Sequence, residues 1–243
     1  MEEAKNLVII PTYNEKENIE AIITAVSELP VPFDILIVDD NSPDGTGDIV
    51  ELLSKERKNI HLLRRAGKLG LGTAYITGFK WALGHGYNII CEMDADFSHN
   101  PDDLVRLHRV CSNEADLAIG SRYISGVNVV NWPLGRVIMS YAASIYVRIV
   151  TGMHVKDTTA GFKAYRREVL ATIDLDNIRS KGYAFQIEMK FTTWKFGFII
   201  KEIPIIFTDR KLGTSKMTGG IFNEALWGVV RMKLVSLFRK YRR

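Results

Sequence analysis

The chain has 243 residues, 47% hydrophobic and 25% charged, which excludes disordered, collagen-like and disulfide-stapled classes and leaves one globular domain, or one with an appendage. Its formal charge is +4, yet six basic residues and no acidic one fall within 231–243, and removing those six from the 32 leaves 26 basic against 28 acidic. The basic character belongs to one end, which disfavours a nucleic-acid-coating body and points to one local anionic partner, a phospholipid surface.

In chain order, residues 7–10, 33–38, 60–63, 88–93 and 117–120 are short aliphatic runs that read as strands. Helix-period stretches over 17–27, 46–55, 73–83 and 101–110 fill the gaps. The last is predicted to open with Asn100 as N-cap, Pro101 at the first helical position and Asp102 and Asp103 in the first turn. Such alternation predicts an α/β fold, a mostly parallel sheet with helices on both faces. Beyond about Tyr123 the alternation fades into a long helix over 134–151, a helix near 185–196, a strand near 199–207 and a terminal helix from Gly220. The reading is a main domain over 1–218, with halves at about 1–122 and 123–218, and a basic amphipathic helix over 219–243.

Met1-Glu2-Glu3-Ala4-Lys5 is acidic where a signal peptide would be basic, and a cytoplasmic location is expected. Cys91 and Cys111 form no CxxC and read as reduced core thiols. No segment offers the ~20 apolar residues that a membrane span needs. The nearest approach, 137–150, is interrupted by Arg148.

In an open parallel sheet, ligands sit beyond the carboxyl ends of the strands, and here those ends are polar. They carry Pro11-Thr12-Tyr13-Asn14-Glu15, Asp39-Asp40-Asn41-Ser42, Arg64-Arg65-Ala66-Gly67-Lys68 and Asp94-Ala95-Asp96. Asp94 and Asp96 can turn toward one hard cation, Mg²⁺ or Mn²⁺, or can simply shape an Asx turn. Asp39-Asp40 can meet a ribose or base, or can begin a turn. Lys68 lies among Gly67, Gly70 and Gly72, yet no GxGxxG or GxxxxGK[ST] is present. The five histidines lack metal-ligand spacing and no serine sits in a GxSxG, which disfavours zinc and serine-hydrolase chemistry. His99 is the histidine nearest the paired aspartates.

Taken together and in order, Pro11-Thr12-Tyr13-Asn14-Glu15, Val38-Asp39-Asp40 and Asp94-Ala95-Asp96 resemble glycosyltransferase family 2, whose fold is called GT-A and is Rossmann-like. The likeness continues through Lys68-Leu69-Gly70-Leu71-Gly72-Thr73-Ala74, Gly120-Ser121-Arg122-Tyr123, Asp157-Thr158-Thr159-Ala160-Gly161-Phe162 and Arg210-Lys211-Leu212-Gly213-Thr214-Ser215-Lys216. That set is similar to the dolichyl-phosphate mannosyltransferase branch of the family. The QxxRW signature of processive polymerising enzymes is absent.

The resemblance implies inverting transfer of mannose from GDP-mannose to dolichyl or polyprenyl phosphate, with a UDP-sugar donor or a non-catalytic binding subunit as alternatives. It places Pro11, Tyr13, Glu15, Val38, Asp40 and Lys68 with Asp94, Ala95 and Asp96 around the nucleotide sugar, the half over 1–122. Asp94 and Asp96 would hold Mg²⁺ or Mn²⁺; Ser98 stands where other members have a glutamine, which makes it a weak ligand. An acceptor phosphate, already ionised, needs positive charge more than a base, and Arg122, Arg136, Arg210, Lys181 and Lys216 are the candidates in the half over 123–218. Asp94, Asp96 and Arg122 are the expected catalytic residues.

The terminal helix carries Ile221, Phe222, Ala225, Leu226, Val229, Val230, Leu234, Leu237, Phe238 and Tyr241 at roughly helical spacing beside its basic cluster, with Lys233 interrupting the stripe. It reads either as a membrane-surface helix or as a core-packed helix, and a polyprenyl acceptor favours the first, with peripheral attachment to the cytoplasmic face and room for a small membrane subunit as partner. Ile138, Met139, Tyr141, Ile145, Tyr146 and Ile149 of the helix over 134–151 either supply a second apolar face or, as the favoured reading, pack into the core.

Overall fold

The computed structural model describes residues 5–180, 182–209 and 220–242. The chain runs β1 (Asn6–Thr12), α1 (Ile19–Ser27), β2 (Asp34–Asp39), α2 (Thr46–Glu56), β3 (Ile60–Arg64), α3 (Leu71–Gly84), β4 (Ile89–Glu92), α4 (Asp103–Asn113) and β5 (Leu117–Ser121). It continues through β6 (Val129–Val130), α5 (Leu134–Thr151), β7 (Lys163–Arg166), α6 (Arg167–Thr172), a 3₁₀ turn at Leu175–Asn177, α7 (Gly182–Lys195), β8 (Ile200–Pro204), β9 (Phe207–Thr208) and α8 (Gly220–Phe238).

Seven strands form one sheet in the order β3-β2-β1-β4-β7-β5-β8, and β6 pairs with β9 in a separate parallel ribbon. The strand period of two divides the apolar residues between two layers. Leu7 and Ile9 of β1 face a core with Tyr75 and Phe79 of α3 and Phe185 of α7. Val8 and Ile10 face the opposite core, with Ile19, Ile22 and Ile23 of α1 and Leu104 and Leu107 of α4. Both faces of β1 are covered, which is why its sequence is a continuous apolar run.

Three features differ from the sequence expectation. First, α4 begins at Asp103, not Pro101: Asp103 N–H and Leu104 N–H donate to the carbonyls of Asn100 and Pro101, closing a tight turn ahead of the helix. The Asn100 side chain still accepts a bond from Asp102 N–H at 3.2 Å. Second, β7 is an unforeseen strand, antiparallel to both β4 and β5. Its register sets Glu92 opposite Lys163, so the segment entering β7 meets the sheet where β4 leaves it. Third, α5 does not bury its apolar stripe. Ser144, Val147 and Thr151 face inward, while Ile138, Met139, Tyr141, Ile145 and Ile149 are exposed.

Helix α8 packs against α5 and α7. The Tyr146 hydroxyl donates to the Leu226 carbonyl at 3.0 Å, and the Lys233 ammonium donates to the Thr151 carbonyl at 2.9 Å. The Lys233 charge thus sits at the C-terminus of α5, where the helix dipole is negative. That position explains the interruption of the apolar stripe. Trp227, Leu234, Val235, Leu237 and Phe238 remain exposed alongside the uncovered face of α5. No helix among the described residues is long and apolar enough to cross a membrane. Cys91 and Cys111 are buried free thiols, and burial pushes the Cys111 thiol up to about 12.

Candidate active site

The strand ends converge because their register is in step: Asp40 N–H donates to the Thr12 carbonyl, Arg65 N–H to that of Asp39, and Met93 N–H to that of Ile9. They open onto a cavity of about 620 Å³. At one end lie Pro11, Thr12, Tyr13, Glu15, Asp40 and Lys68. The adjacent carboxylates after β2 divide their work. Asp39 is fully buried and accepts from the Thr12 hydroxyl at 2.9 Å and from the Ser42 N–H at 3.0 Å, which fixes the turn. Asp40 faces the cavity and pairs with Arg65 at 3.1 Å. Burial raises the Asp40 carboxyl above its usual range, against the opposing pull of Arg65. Lys68 lies over the Tyr13 ring at 4.8 Å. Asn14 and Asn41 take left-handed backbone conformations in these loops, which asparagine tolerates better than most residues.

Asp94, Ala95 and Asp96 line the middle of the cavity, Asp94 partly open and Asp96 nearly buried. Asp96 Oδ1 accepts from Ser98 N–H at 3.1 Å, and Phe97 between them turns through φ 57°, an unusual conformation for a bulky residue. The Ser98 hydroxyl is buried without a hydrogen-bond partner among the described residues. His99 Nδ1 accepts from Asp94 N–H at 3.2 Å. Burial, and the nearby Arg122 charge, push the His99 imidazole down to about 4 against the pull of Asp96 and Asp157. No third His, Cys, Asp or Glu joins the two aspartates as a closed metal cage among the described residues. Two carboxylates at an open cavity suit a hard divalent cation whose remaining positions are filled by substrate oxygens and water.

On the other side of the aspartates, Arg122 follows β5 and is almost wholly buried. Its Nε and Nη2 donate to Asp157 at 2.8 and 2.7 Å, its backbone N–H to the same carboxylate at 2.9 Å, and Nη2 also to the Thr159 hydroxyl at 2.8 Å. The planar fork of Arg122, expected at an acceptor phosphate, is thus engaged by a protein carboxylate, and the residue lines the cavity. Arg136 lies over the Trp132 ring at 4.0 Å and pairs with Asp209 at 3.0 Å, both side chains partly exposed. The wall continues along α5 through Met139, Ser140, Ala143, Tyr146 and Val147 to Leu226 and Val229 of α8, so the cavity runs from a charged floor into an apolar limb.

Beneath this floor is a fully buried charged layer. Lys163 pairs with Glu92 at 3.0 Å and also bonds Gln186, which donates to Glu92 at 2.9 Å. Lys190 donates to the carbonyls of Thr158 and Ala160 at 3.0 and 2.6 Å, holding the loop that carries Thr159, Ala160 and Gly161 against the cavity. Burial pushes the Lys190 ammonium well below its ordinary value, with the neighbouring Lys163 charge adding to the effect.

The structure thus brings together Pro11, Tyr13, Glu15, Asp40, Lys68, Asp94, Ala95, Asp96, Arg122 and Arg136 on one cavity. Val38 is not among them: its side chain is fully buried in the core on the α3 side of β2, so its expected place at the nucleotide is corrected to a supporting one. Lys181, Arg210 and Lys216 lie outside the described residues. Sequence reasoning did not single out Trp132 or Lys190, and it quoted Asp157 and Thr159 only within a family-like run, without a role. An acid at Asp157 just before a small, turn-prone segment was the available sign of a buried partner for Arg122.

Carboxylates at the centre of a mixed sheet, with a polar recess beside them and an apolar limb beyond, fit a GT-A glycosyltransferase. The model of glycosyl transferase family 2 matches residues 7–174, and the chain belongs to that family. It is 48% identical over 230 residues to the undecaprenyl-phosphate mannosyltransferase of Micrococcus luteus, covering 95% of this chain and 94% of that one. It is also 48% identical over 231 residues to the polyprenol monophosphomannose synthase of Mycolicibacterium smegmatis, covering 93% and 87%. Among solved structures, glucosyl-3-phosphoglycerate synthase of Mycobacterium tuberculosis, in complex with Mn²⁺, UDP and glucosyl-3-phosphoglycerate, has the same fold, with TM-score 0.66 at 18% identity over 98% of this chain and 81% of that one. The mannosyltransferase PcManGT of Pyrobaculum calidifontis, in complex with GDP-Man and Mn²⁺, aligns with TM-score 0.55 at 16% identity over 96% and 74%.

Proposed function

We propose that the chain transfers mannose from GDP-mannose to a polyprenyl phosphate, with inversion at the anomeric carbon, on the cytoplasmic face of a membrane. The observation that carries this reading is one continuous cavity in which Asp94 and Asp96 separate a polar recess at Asp40 from an apolar limb between α5 and α8. The two relatives at 48% identity supply the mannosyl and polyprenyl chemistry.

Asp40, Tyr13 and Lys68 hold the nucleoside end of the donor, and Asp94 and Asp96 turn their carboxylates toward the diphosphate. A divalent cation bound there, Mg²⁺ or Mn²⁺, supplies charge neutralisation of the diphosphate as it leaves. Arg136 faces the acceptor phosphate from the opposite wall, and the charge of Arg122 stabilises the same anion through space while its fork orders the Asp157 loop. A lipid monophosphate is ionised at neutral pH, so attack on the anomeric carbon needs no general base, and attack opposite the leaving diphosphate inverts an α-linked donor to a β-linked product. The apolar limb receives the first part of the lipid tail. The exposed faces of α5 and α8, with Arg231, Arg239, Lys240 and Arg242 beside them, rest on an anionic bilayer.

The test is transfer of radiolabelled mannose from GDP-mannose to polyprenyl phosphate in detergent, with Mg²⁺ or Mn²⁺ and with chelator, and UDP-glucose in parallel. Metal-dependent label in the lipid from GDP-mannose alone is expected. Label from UDP-glucose alone overturns the donor assignment, and transfer that appears only after membranes are added points to a membrane subunit.

A further inference from the structure

His99 is 2% exposed, and its ring touches three parts of the site that are far apart in sequence. Nδ1 accepts from the Asp94 backbone N–H at 3.2 Å, closing the loop from Asp94 to His99 with a side chain. One face of the ring is stacked on Phe162, with centroids 4.7 Å apart and planes 10° from parallel. Its edge meets Phe207 of β9 at 5.4 Å, the residue whose ring also packs on Trp132 at 5.2 Å. A methyl group at Gly161 would stand 3.8 Å from His99 Cε1, so the cavity-lining backbone of that loop runs past the same ring.

The three contacts have different origins. The hydrogen bond fixes the carboxylate loop, the stack fixes the segment entering β7, and the edge contact fixes the ribbon that carries Trp132. The Ser98 carbonyl reinforces the last link by accepting from Thr208 N–H at 3.3 Å. We infer that His99 is a positioning residue for the transfer reaction, its Nδ1 lone pair and ring holding the donor carboxylates in register with the acceptor wall. His99 itself lines the cavity with Asp94 and Asp96, and the role inferred for it is to hold them, not to react. The inference rests on the proposed mannosyl transfer for the reaction it serves.

The chemistry requires one tautomer. Nδ1 must carry the lone pair, because its neighbour is an N–H donor, and the proton must lie on Nε2. Asparagine offers a carbonyl oxygen at a position close to Nδ1, whereas phenylalanine preserves the ring contacts and offers no acceptor. Buried partners that orient ligand loops commonly account for about 10–100-fold in ligand affinity or activity, so the two variants should separate by about that factor.

Two readouts test this. In the wild-type protein, with imidazole resonances assigned by single substitution of His61, His85, His108 and His154, the nitrogen spectrum of the remaining histidine should show the Nε2–H tautomer. A protonated Nδ1 there would overturn the inference whatever the variants do. In parallel, H99F and H99N are compared by circular dichroism, by titration with Mn²⁺ in the presence of GDP, and by mannose transfer. The expected result is that H99F binds Mn²⁺·GDP about tenfold or more weakly and loses kcat, whereas H99N stays within about threefold of wild type in both. A folded H99F that equals wild type in both readouts overturns the positioning role. Wild-type failure to transfer mannose, with the Mn²⁺·GDP contrast between variants intact, refutes the proposed reaction and leaves the positioning of the carboxylate loop supported.

Discussion

Arg122 and Asp157 meet through two side-chain bonds and one backbone bond, in a setting where Asp157 has no exposed surface and Arg122 almost none. A buried pair of this kind gains less than its contact count suggests, because both charges have left water. Breaking it is another matter. Asp157→Asn leaves a guanidinium without a counter-charge, and the expected loss in urea denaturation is about 3–5 kcal/mol. Turnover of any folded fraction should also fall, because Thr159 is anchored through the same guanidinium.

The same pair sets an acid limit. Burial alone would raise the Asp157 carboxyl, but the Arg122 charge and hydrogen bonds, with the Lys190 charge, outweigh it and hold the group below 3.8. A depressed carboxylate contributes stability that is fully present above its unfolded value and is lost as pH falls through the lower folded value. Wild type should therefore lose stability more steeply than D157N as the pH is lowered below about 4. Urea midpoints at successive pH values measure the difference in slope.

Asp96→Ala should separate catalysis from stability. The carboxylate is nearly buried, and its removal takes away one of two adjacent negative charges at the cost of its own contacts, the bond from Ser98 N–H among them. The melting temperature without metal should stay level or rise, while kcat falls at least about 100-fold, equivalent to roughly 2.7 kcal/mol. Retention of metal-dependent turnover in D96A would refute its assignment to the cation.

Arg136→Ala makes the opposite use of exposure. Its pair with Asp209 is partly solvated, and such a pair contributes about 0–1 kcal/mol. The melting temperature should hardly move. The KM for the lipid acceptor should rise about tenfold, roughly 1.4 kcal/mol, with the KM for the donor nearly unchanged.

Gly78 of α3 tests the packing that supports the site. A Cβ there would stand 2.8 Å from Ile9 Cγ2 and 3.0 Å from Cδ1, with Ile9 fully buried. Alanine gains about 1 kcal/mol of helix propensity. Overpacking of about 1–3 kcal/mol should exceed that gain, giving a lower melting temperature and a displaced β1.

The donor half was legible because its signals are local. Leu7 to Ile10 form an apolar run with turn-forming residues after it, and Asp94 and Asp96 stand where the fourth such run stops. Strand β7 was hidden for a physical reason: Lys163 and Arg166 interrupt its pattern, and only the three-dimensional fold shows that Lys163 is neutralised by Glu92 from β4. Arg122 was found as a residue, but its pairing with Asp157 was not, because the partner lies 35 positions away. Helix α5 was placed at its observed limits, yet which way its apolar stripe faces depends on α8, which periodicity alone does not specify.

The antiparallel insertion of β7 also imposes an order on synthesis. The strands β1 to β4 pair with one another and are made before β5, β7 and β8, so the recess at Asp40 can begin to form while the chain is still growing. The other flank cannot. Strand β5 meets β4 only through β7, and the outer strand β8 joins through β5, so the centre of the sheet closes only after residue 166 has appeared. Until then the nascent chain carries its carboxylate pair without the opposing wall.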